Sequence, residues 1–106
     1  MMENEPVCIT NILGTKRWYL GYKLHRLDGP AIEYTDGYKE WRYHHKRHRL
    51  DGPAIIWGDE HKEWWISGHP VTDIITNWAK ENDIDLEYLS EDDKLLIKLT
   101  WANYGK

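Results

Sequence analysis

Apolar and polar positions between residues 14 and 71 follow the two-residue period of β-strands. Large apolar side chains recur two positions apart, as in Trp18 and Leu20 and again in Ile32 and Tyr34. This alternation sends such residues to one face of a sheet. It predicts about five short strands, near residues 16–20, 30–34, 38–43, 53–57 and 61–66. Short turn segments such as Thr-Asp-Gly at 35–37 join consecutive runs, so we expect an antiparallel meander.

The strand pattern is written twice, at an offset of 23 residues. Residues 24–32 and 47–55 agree at eight of nine positions and share the run His-Arg-Leu-Asp-Gly-Pro-Ala-Ile. The same offset relates Trp18, Trp41 and Trp64. The chain therefore carries two full units and the first half of a third, which is the signature of a repeat architecture.

After residue 71 the pattern predicts two helices. Thr72 is placed to cap the first, and Ser90 with Asp93 has the spacing of a capping box that opens the second. The first helix carries Ile74, Ile75 and Trp78 on one side. The second carries a stripe of Leu95, Leu96, Leu99 and Ala102, widened by Ile97, Trp101 and Tyr104. We expect both helices to cover the apolar face of the sheet, because a sheet with one uncovered apolar face is not stable alone.

These elements predict an α+β fold in a single domain. Residues 1–13 form an N-terminal lead-in, residues 14–71 the β repeats and residues 72–106 the helical cap. The length of 106 residues suits one domain. The single Cys8 excludes an internal disulfide, and no apolar run approaches the ~20 residues that a membrane-spanning helix needs. We expect a cytoplasmic protein that does not interact with a membrane.

Composition and charge distribution favour a recognition function. The chain has seven Trp, seven Tyr and no Phe, and Trp and Tyr are enriched at protein interfaces. Residues 14–71 hold 10 Lys+Arg against 8 Asp+Glu and all six His, whereas residues 72–106 hold 4 against 8. A mildly basic, histidine-rich part is therefore joined to an acidic one.

The 23-residue unit resembles the MORN repeat. The variant His-Arg-x-Asp-Gly-Pro-Ala is similar to that of small MORN-like proteins encoded by bacteriophages, and the resemblance covers residues 14 to about 68. Gly21 stands at the expected spacing after Trp18, whereas His44 and Ser67 replace it in the later units. The resemblance implies a β-hairpin array, a phage origin and a place in the host cytoplasm. It implies no single function, because such arrays serve unrelated roles.

The repeated block admits a catalytic and a structural interpretation. His25 with Asp28, or His48 with Asp51, has the residue types of a general base and its orienting carboxylate, as in a small hydrolase. A feature that recurs in each unit more often solves one folding problem twice, and neither copy places a nucleophile beside the histidine. We therefore predict no catalytic residues and no cofactor.

Function is expected where the two copies differ. Residues 42–49 carry four permanent positive charges and three histidines in eight positions. Basic groups beside an aromatic side chain grip phosphates or an acidic partner. A solvated hairpin loop explains the same residues, and both interpretations stay open. The candidate binding residues in this segment are Arg42, Tyr43, His44, His45, Lys46, Arg47 and Arg49.

Two further candidates are a metal site and an exposed tryptophan. His44, His45 and His48 lack the convergent partners that zinc requires, so we predict no metal site. Trp64 and Trp65 are adjacent in a strand and must point to opposite faces. Core packing or a role as an interface anchor both suit Trp65, and we include it among the binding residues.

The leading hypothesis is a non-enzymatic module that engages a host protein and modulates or inhibits it. The alternative is a binder of a phosphorylated small molecule or nucleic acid that uses the basic segment. Steep salt dependence is typical of the second class, and a salt-tolerant complex of the first. An edge strand near residues 61–66 also makes a homodimer a candidate assembly.

Overall fold

The computed structural model describes residues 5–105. Eleven strands precede two helices in this range. The strands are β1 Val7–Thr10, β2 Lys16–Leu20, β3 Lys23–Leu24, β4 Ile32–Glu33, β5 Lys39–Glu40, β6 Arg42–Tyr43, β7 Lys46–Arg47, β8 Ile55–Ile56, β9 Lys62–Glu63, β10 Trp65–Ile66 and β11 His69–Pro70; the helices are α1 Thr72–Glu81 and α2 Glu91–Trp101.

The strands form an antiparallel hairpin meander. Six of them lie in the order β1-β2-β4-β5-β8-β9, and β3 pairs with β2. Two small hairpins, β6-β7 and β10-β11, stand beside this central sheet. Together with the two C-terminal helices, this arrangement confirms the predicted α+β fold class.

The predicted strands are present, but four of the five are shorter or divided. The strand at 16–20 has the predicted limits. The runs at 38–43 and 61–66 are each broken at the repeated tryptophan, Trp41 or Trp64. Before the tryptophan the chain pairs within the central sheet, and after it the chain pairs within its own hairpin. A change of partner strand therefore divides each run, and alternation alone does not reveal it.

The N-terminal lead-in contains a strand that the sequence analysis missed. Strand β1, Val7–Thr10, pairs with residues 16–19 of β2 and is joined to it by a turn closed by Gly14. Residues 1–4 of the lead-in lie outside the described residues. The β-branched residues Val7, Ile9 and Thr10 were the available signal.

The hydrophobic core lies where the helices meet the last hairpin. Its buried members are Trp64, Ile66, Val71, Ile75, Ile97 and Trp101, with Leu50, Trp78, Leu86, Leu89 and Tyr104 packed against them. The helices thus cover the third repeat unit and end the array, as capping elements do in repeat proteins.

The predicted helix faces were partly wrong. Leu95, Leu96 and Leu99 are exposed, and α2 packs instead through Ile97 and Trp101, which are four residues apart. In α1, Ile74 is likewise exposed while Ile75 is fully buried. With apolar residues on both sides of α2, the pattern does not identify the buried side.

The predicted helix starts have different outcomes. The capping box of α2 is confirmed: Ser90 Oγ accepts from the Asp93 N–H at 3.0 Å, and Asp93 Oδ2 accepts from the Ser90 N–H at 3.1 Å. The cap on α1 was wrong, because Val71 is its N-cap. The Thr72 hydroxyl oxygen instead accepts from the Trp64 N–H at 3.0 Å and joins the helix to the last repeat unit.

Candidate functional site

The arginine of each repeated block packs on the tryptophan of its own unit. The guanidinium carbon lies 3.9 Å from the ring centroid both for Arg26 over Trp18 and for Arg49 over Trp41. Each guanidinium also donates within its own block, Arg49 to Asp51 Oδ1 at 2.9 Å and to the Pro53 carbonyl at 3.0 Å. The block therefore folds a loop over a tryptophan.

The glycine of the block leaves room for that guanidinium. A Cβ built on Gly52 would lie 2.6 Å from Arg49 Cζ, and one on Gly29 would lie 2.8 Å from Arg26 Cζ. The alanines that follow, Ala31 and Ala54, are wholly buried. The arginine, glycine and alanine of the run thus have packing reasons that are the same in both copies.

The histidine of the block joins one unit to the next. Nδ1 of His25 accepts from the His44 N–H at 2.8 Å, and Nδ1 of His48 accepts from the Ser67 N–H at 2.9 Å. Both donors lie in the turn of the following hairpin. A catalytic histidine oriented by a carboxylate donates through this nitrogen, so the observed contacts favour the structural interpretation of the block.

We expect stability to depend on the protonation of His25. Burial, and secondarily the neighbouring His44, hold the pKa of His25 below its usual value of 6.5. The unfolded chain therefore binds this proton more readily, so stability falls as pH drops below about 6.5. Protonation also removes the acceptor that the His44 N–H uses. Between pH 7.5 and 5.5, His25→Asn should show a smaller decrease in melting temperature than the unmodified chain. Equal decreases would contradict this role.

The basic segment forms the β6-β7 hairpin, whose two-residue turn is strained. His44 and His45 have φ values of +47° and +75°. Left-handed backbone is costly for residues with a Cβ. The corresponding turn of the next unit, Ser67-Gly68, places glycine at the second position. Backbone geometry therefore does not explain why histidines occupy this turn.

The third unit supplies a direct test of that strain. The double substitution His44→Ser, His45→Gly copies the turn of residues 67–68 into the second unit. We expect it to raise the free energy of unfolding by about 1 kcal/mol, because glycine adopts positive φ without steric cost. Urea denaturation measures the change. A loss of stability would mean that the His44 and His45 rings contribute more than the turn geometry costs.

Arg42 and Arg47 surround a buried carboxylate. Glu40 is 2% exposed and forms ion pairs with Arg42 and, at 3.4 Å, with Arg47 Nε. The Tyr38 hydroxyl donates to Glu40 Oε1 at 2.5 Å. Burial and this carboxylate raise the pKa of Tyr38 far above its usual value of 10.0. Two of the four predicted binding cations thus balance an internal charge.

The remaining basic-segment residues differ in their surroundings. Arg49 belongs to the repeated block and is paired with Asp51. Of the four cations of the basic segment, Lys46 alone forms no ion pair with the described residues, 5–105. Two shallow depressions of about 350 Å³ flank it. One is lined by Tyr43, His44, Lys46, His48, Ser67 and Gly105, and the other by Arg42, His45, Lys46, Arg47, Trp65 and Gly68. The binding role of this segment stays a prediction.

Trp64 and Trp65 differ in their exposure. Trp64 is buried in the core, whereas Trp65 is partly exposed and its ring lies 4.8 Å from the Arg47 guanidinium carbon. The Trp65 Nε1–H donates to Glu63 Oε1 at 3.0 Å, and the Trp57 Nε1–H donates to Glu63 Oε2 at 3.1 Å. These bonds, led by that from Trp65, hold the pKa of Glu63 below its usual value.

The structure reveals a row of aromatic side chains that sequence reasoning missed. The Tyr38 ring lies between those of Tyr34 and Trp57, with centroid distances of 5.1 Å to Tyr34 and 4.9 Å to Trp57. The Arg17 guanidinium carbon lies 5.8 Å from the centroid of the Tyr34 ring. We call these four residues and Trp65 the aromatic row. Tyr34 and Trp57 are each 42% exposed. The two-residue alternation was visible in the sequence, but the register that aligns these residues was not.

The aromatic row lies on the face of the sheet away from the helices. The strand register aligns one set of residues across the sheet: Arg17, Ile32, Glu40, Ile55 and Glu63. Tyr34, Tyr38 and Trp57 are each two positions from a member of this set and share its face. Trp65, in the β10-β11 hairpin, joins them through Glu63, which accepts from the indole N–H groups of both Trp57 and Trp65. Ile56 and Lys62, on the opposite face, line a depression together with Leu86 and Leu89 of the segment that joins the helices.

The described residues offer neither a metal centre nor a helix suited to a bilayer. Within residues 5–105, no three His, Cys, Asp or Glu side chains are grouped so as to hold a metal ion. In the same range, neither helix has the length and apolar character needed to cross a membrane. No protein-family model, curated protein or solved structure matches the chain significantly. The function proposed below is therefore argued from the surface of the chain itself.

Proposed function

We propose that the protein is a non-enzymatic binding module that engages another protein through the aromatic row. The carrying observation is that five Arg, Tyr and Trp side chains lie together in one row, in which Tyr34 and Trp57 are each 42% exposed. Arg, Tyr and Trp dominate the energetics of protein interfaces. Glu63 fixes the rings of Trp57 and Trp65, so ordering them on binding costs little entropy.

The nature of the partner comes from the MORN-like resemblance. It supports a phage-encoded protein that acts in the host cytoplasm on a host protein, which it modulates or inhibits. The proposal of a non-enzymatic role is supported by the structural use of both repeated blocks. Their histidines and carboxylates bind backbone and arginine groups that hold the repeats together.

Capture from host lysate with the full chain as bait tests the proposal. Arg17→Ser combined with Tyr34→Ser should weaken capture of a defined protein at least about tenfold, since each interface anchor contributes about 1 kcal/mol or more. Tyr88→Ser is the matched control, because Tyr88 is an exposed tyrosine in the linker between the helices. Equal capture by both variants would contradict a role for the aromatic row.

The alternative ligand is a phosphorylated small molecule or nucleic acid bound beside Lys46. Its supporting observation is that Lys46 lines both depressions on the flanks of the β6-β7 hairpin. Lys46→Gln tests it. The alternative would be favoured over the aromatic row if the unmodified chain bound such a ligand with a steep dependence on salt and with competition by free nucleotide, and if Lys46→Gln lost that binding.

A further inference from the structure

The outer edge of β1 is an unpaired strand edge. Val7–Thr10 pairs with β2 on one side, and no strand among residues 5–105 pairs with the other side. All four residues are exposed, and the side chains of Val7 and Ile9 are each 59% exposed. Proteins usually protect such edges with charged residues. The segment 7–10 contains none.

The hydrogen bonds of the hairpin show which backbone groups face outward. The Asn11 N–H donates to the Thr15 carbonyl at 3.0 Å, and hydrogen-bonded pairs alternate along an antiparallel ladder. Val7 and Ile9 therefore direct their N–H and C=O groups toward β2, whereas Cys8 and Thr10 direct theirs outward. The Trp18 N–H, which donates away from β1 to Ala31, agrees with this phase.

The outward groups are self-complementary in one antiparallel register. When Cys8 lies opposite Thr10 of a second copy, both residues exchange N–H and C=O bonds, and symmetry doubles these to four. Aligning Cys8 with its own counterpart would instead oppose Thr10 to Pro6, which has no N–H to donate. We propose that two copies of this chain pair through β1 in the first register, with Ile9 opposite Ile9 of the second copy.

The side chains are compatible with that pairing. Ile9 and Val7 lie on one face beside a cavity of about 660 Å³ that is also lined by Tyr19 and Tyr22. The exposed Ile12 and Leu13 lie in the turn after β1, at the end of the edge that Pro6 and Glu5 of the second copy approach. The two Glu5 carboxylates lie at opposite ends, whereas parallel strands would place them side by side. The antiparallel pairing therefore brings apolar side chains into contact and places no like charges opposite each other.

Cysteine cross-linking in the full-length chain tests the register. In a Cys8→Ser background, Ile9→Cys places two thiols in a non-hydrogen-bonded pair with Cα atoms about 4.5 Å apart, which suits a disulfide. Val7→Cys is the matched control, because its two copies would lie roughly 13 Å apart. Under mild oxidation the first variant should form a disulfide-linked dimer at least about tenfold faster than the second. Equal rates would overturn the proposal.

A proline substitution supplies a second test without cross-linking. Thr10→Pro removes an outward N–H that is not used in the bond to β2. We expect the unmodified chain to sediment as a dimer at high concentration and the variant to sediment as a monomer with a circular dichroism spectrum like that of the unmodified chain. An unmodified chain that stays monomeric would overturn the proposal. If the unmodified chain is monomeric and capture of a host protein requires the β1 edge, that edge binds the host protein rather than a second copy.

Discussion

A chain that ends at Val71 should lose cooperative unfolding. Removing the helices exposes Trp64, Ile66 and Val71, which the helices bury in the full chain. Full burial of a large apolar side chain stabilises by about 1.5–3 kcal/mol, so three such residues account for much of the 5–15 kcal/mol typical of a domain. We expect the 1–71 fragment to be insoluble, or to melt without a sigmoidal transition when followed by circular dichroism.

Two alanine substitutions in α2 serve as controls for the truncation. Ile97→Ala removes a fully buried side chain of α2 and should lower the free energy of unfolding by about 2–5 kcal/mol. Leu99→Ala changes an exposed side chain of the same helix and should alter it by less than about 0.5 kcal/mol. A soluble 1–71 fragment with a cooperative transition would contradict the capping role of the helices.

The second large effect is expected for Glu40→Ala. The substitution leaves Arg42, Arg47 and the Tyr38 hydroxyl around a space from which the negative charge has been removed. Breaking a buried ion pair on one side costs about 3–5 kcal/mol, because the remaining charge is desolvated without a partner. The side chains of both arginines are partly exposed, so we expect a loss near the lower limit. Urea denaturation measures it.

Glu63 is the matched control for Glu40. It stands one repeat later, is partly exposed and accepts from two indole N–H groups rather than from arginines. Glu63→Ala should therefore cost only about 1 kcal/mol, the usual size of a neutral hydrogen-bond loss. If Glu40→Ala cost no more than Glu63→Ala, Arg42 and Arg47 would not depend on Glu40, and both would be available to a ligand.

The sequence specifies the repeat more fully than it specifies the strands. Identical residues at an offset of 23 predict the units, and the Thr-Asp-Gly and Asp-Gly-Pro runs predict the turns. The strand ends depend on tertiary pairing, because Trp41 and Trp64 stand where the chain changes partner strand. In α2, leucines on one side and Ile97 with Trp101 on the other give two apolar faces, and only packing selects between them.

Of the candidate site, the sequence predicts a contrast between Trp64 and Trp65, and in the structure Trp64 is buried while Trp65 is partly exposed. It does not predict that Arg42, Arg47 and Arg49 are bound internally, because their partners Glu40 and Trp41 meet them only through the hairpin and the block loop. The edge proposed for a homodimer also differs from the one predicted from the sequence. Residues 61–66 are divided between β9, a two-residue edge strand, and β10, which is paired with β11. Within residues 5–105 the longer edge strand of the central sheet is β1.

The central claim is that the repeated block is a structural element, in which arginine holds its loop over the tryptophan of the same unit. Urea denaturation of Arg49→Lys tests this most directly. Lysine keeps the charge but lacks the planar group that stacks on Trp41 while donating to Asp51 and Pro53. We expect the free energy of unfolding to fall by about 2 kcal/mol, the sum of a stacked cation and a charge-assisted hydrogen bond. A change below about 0.3 kcal/mol would contradict the claim.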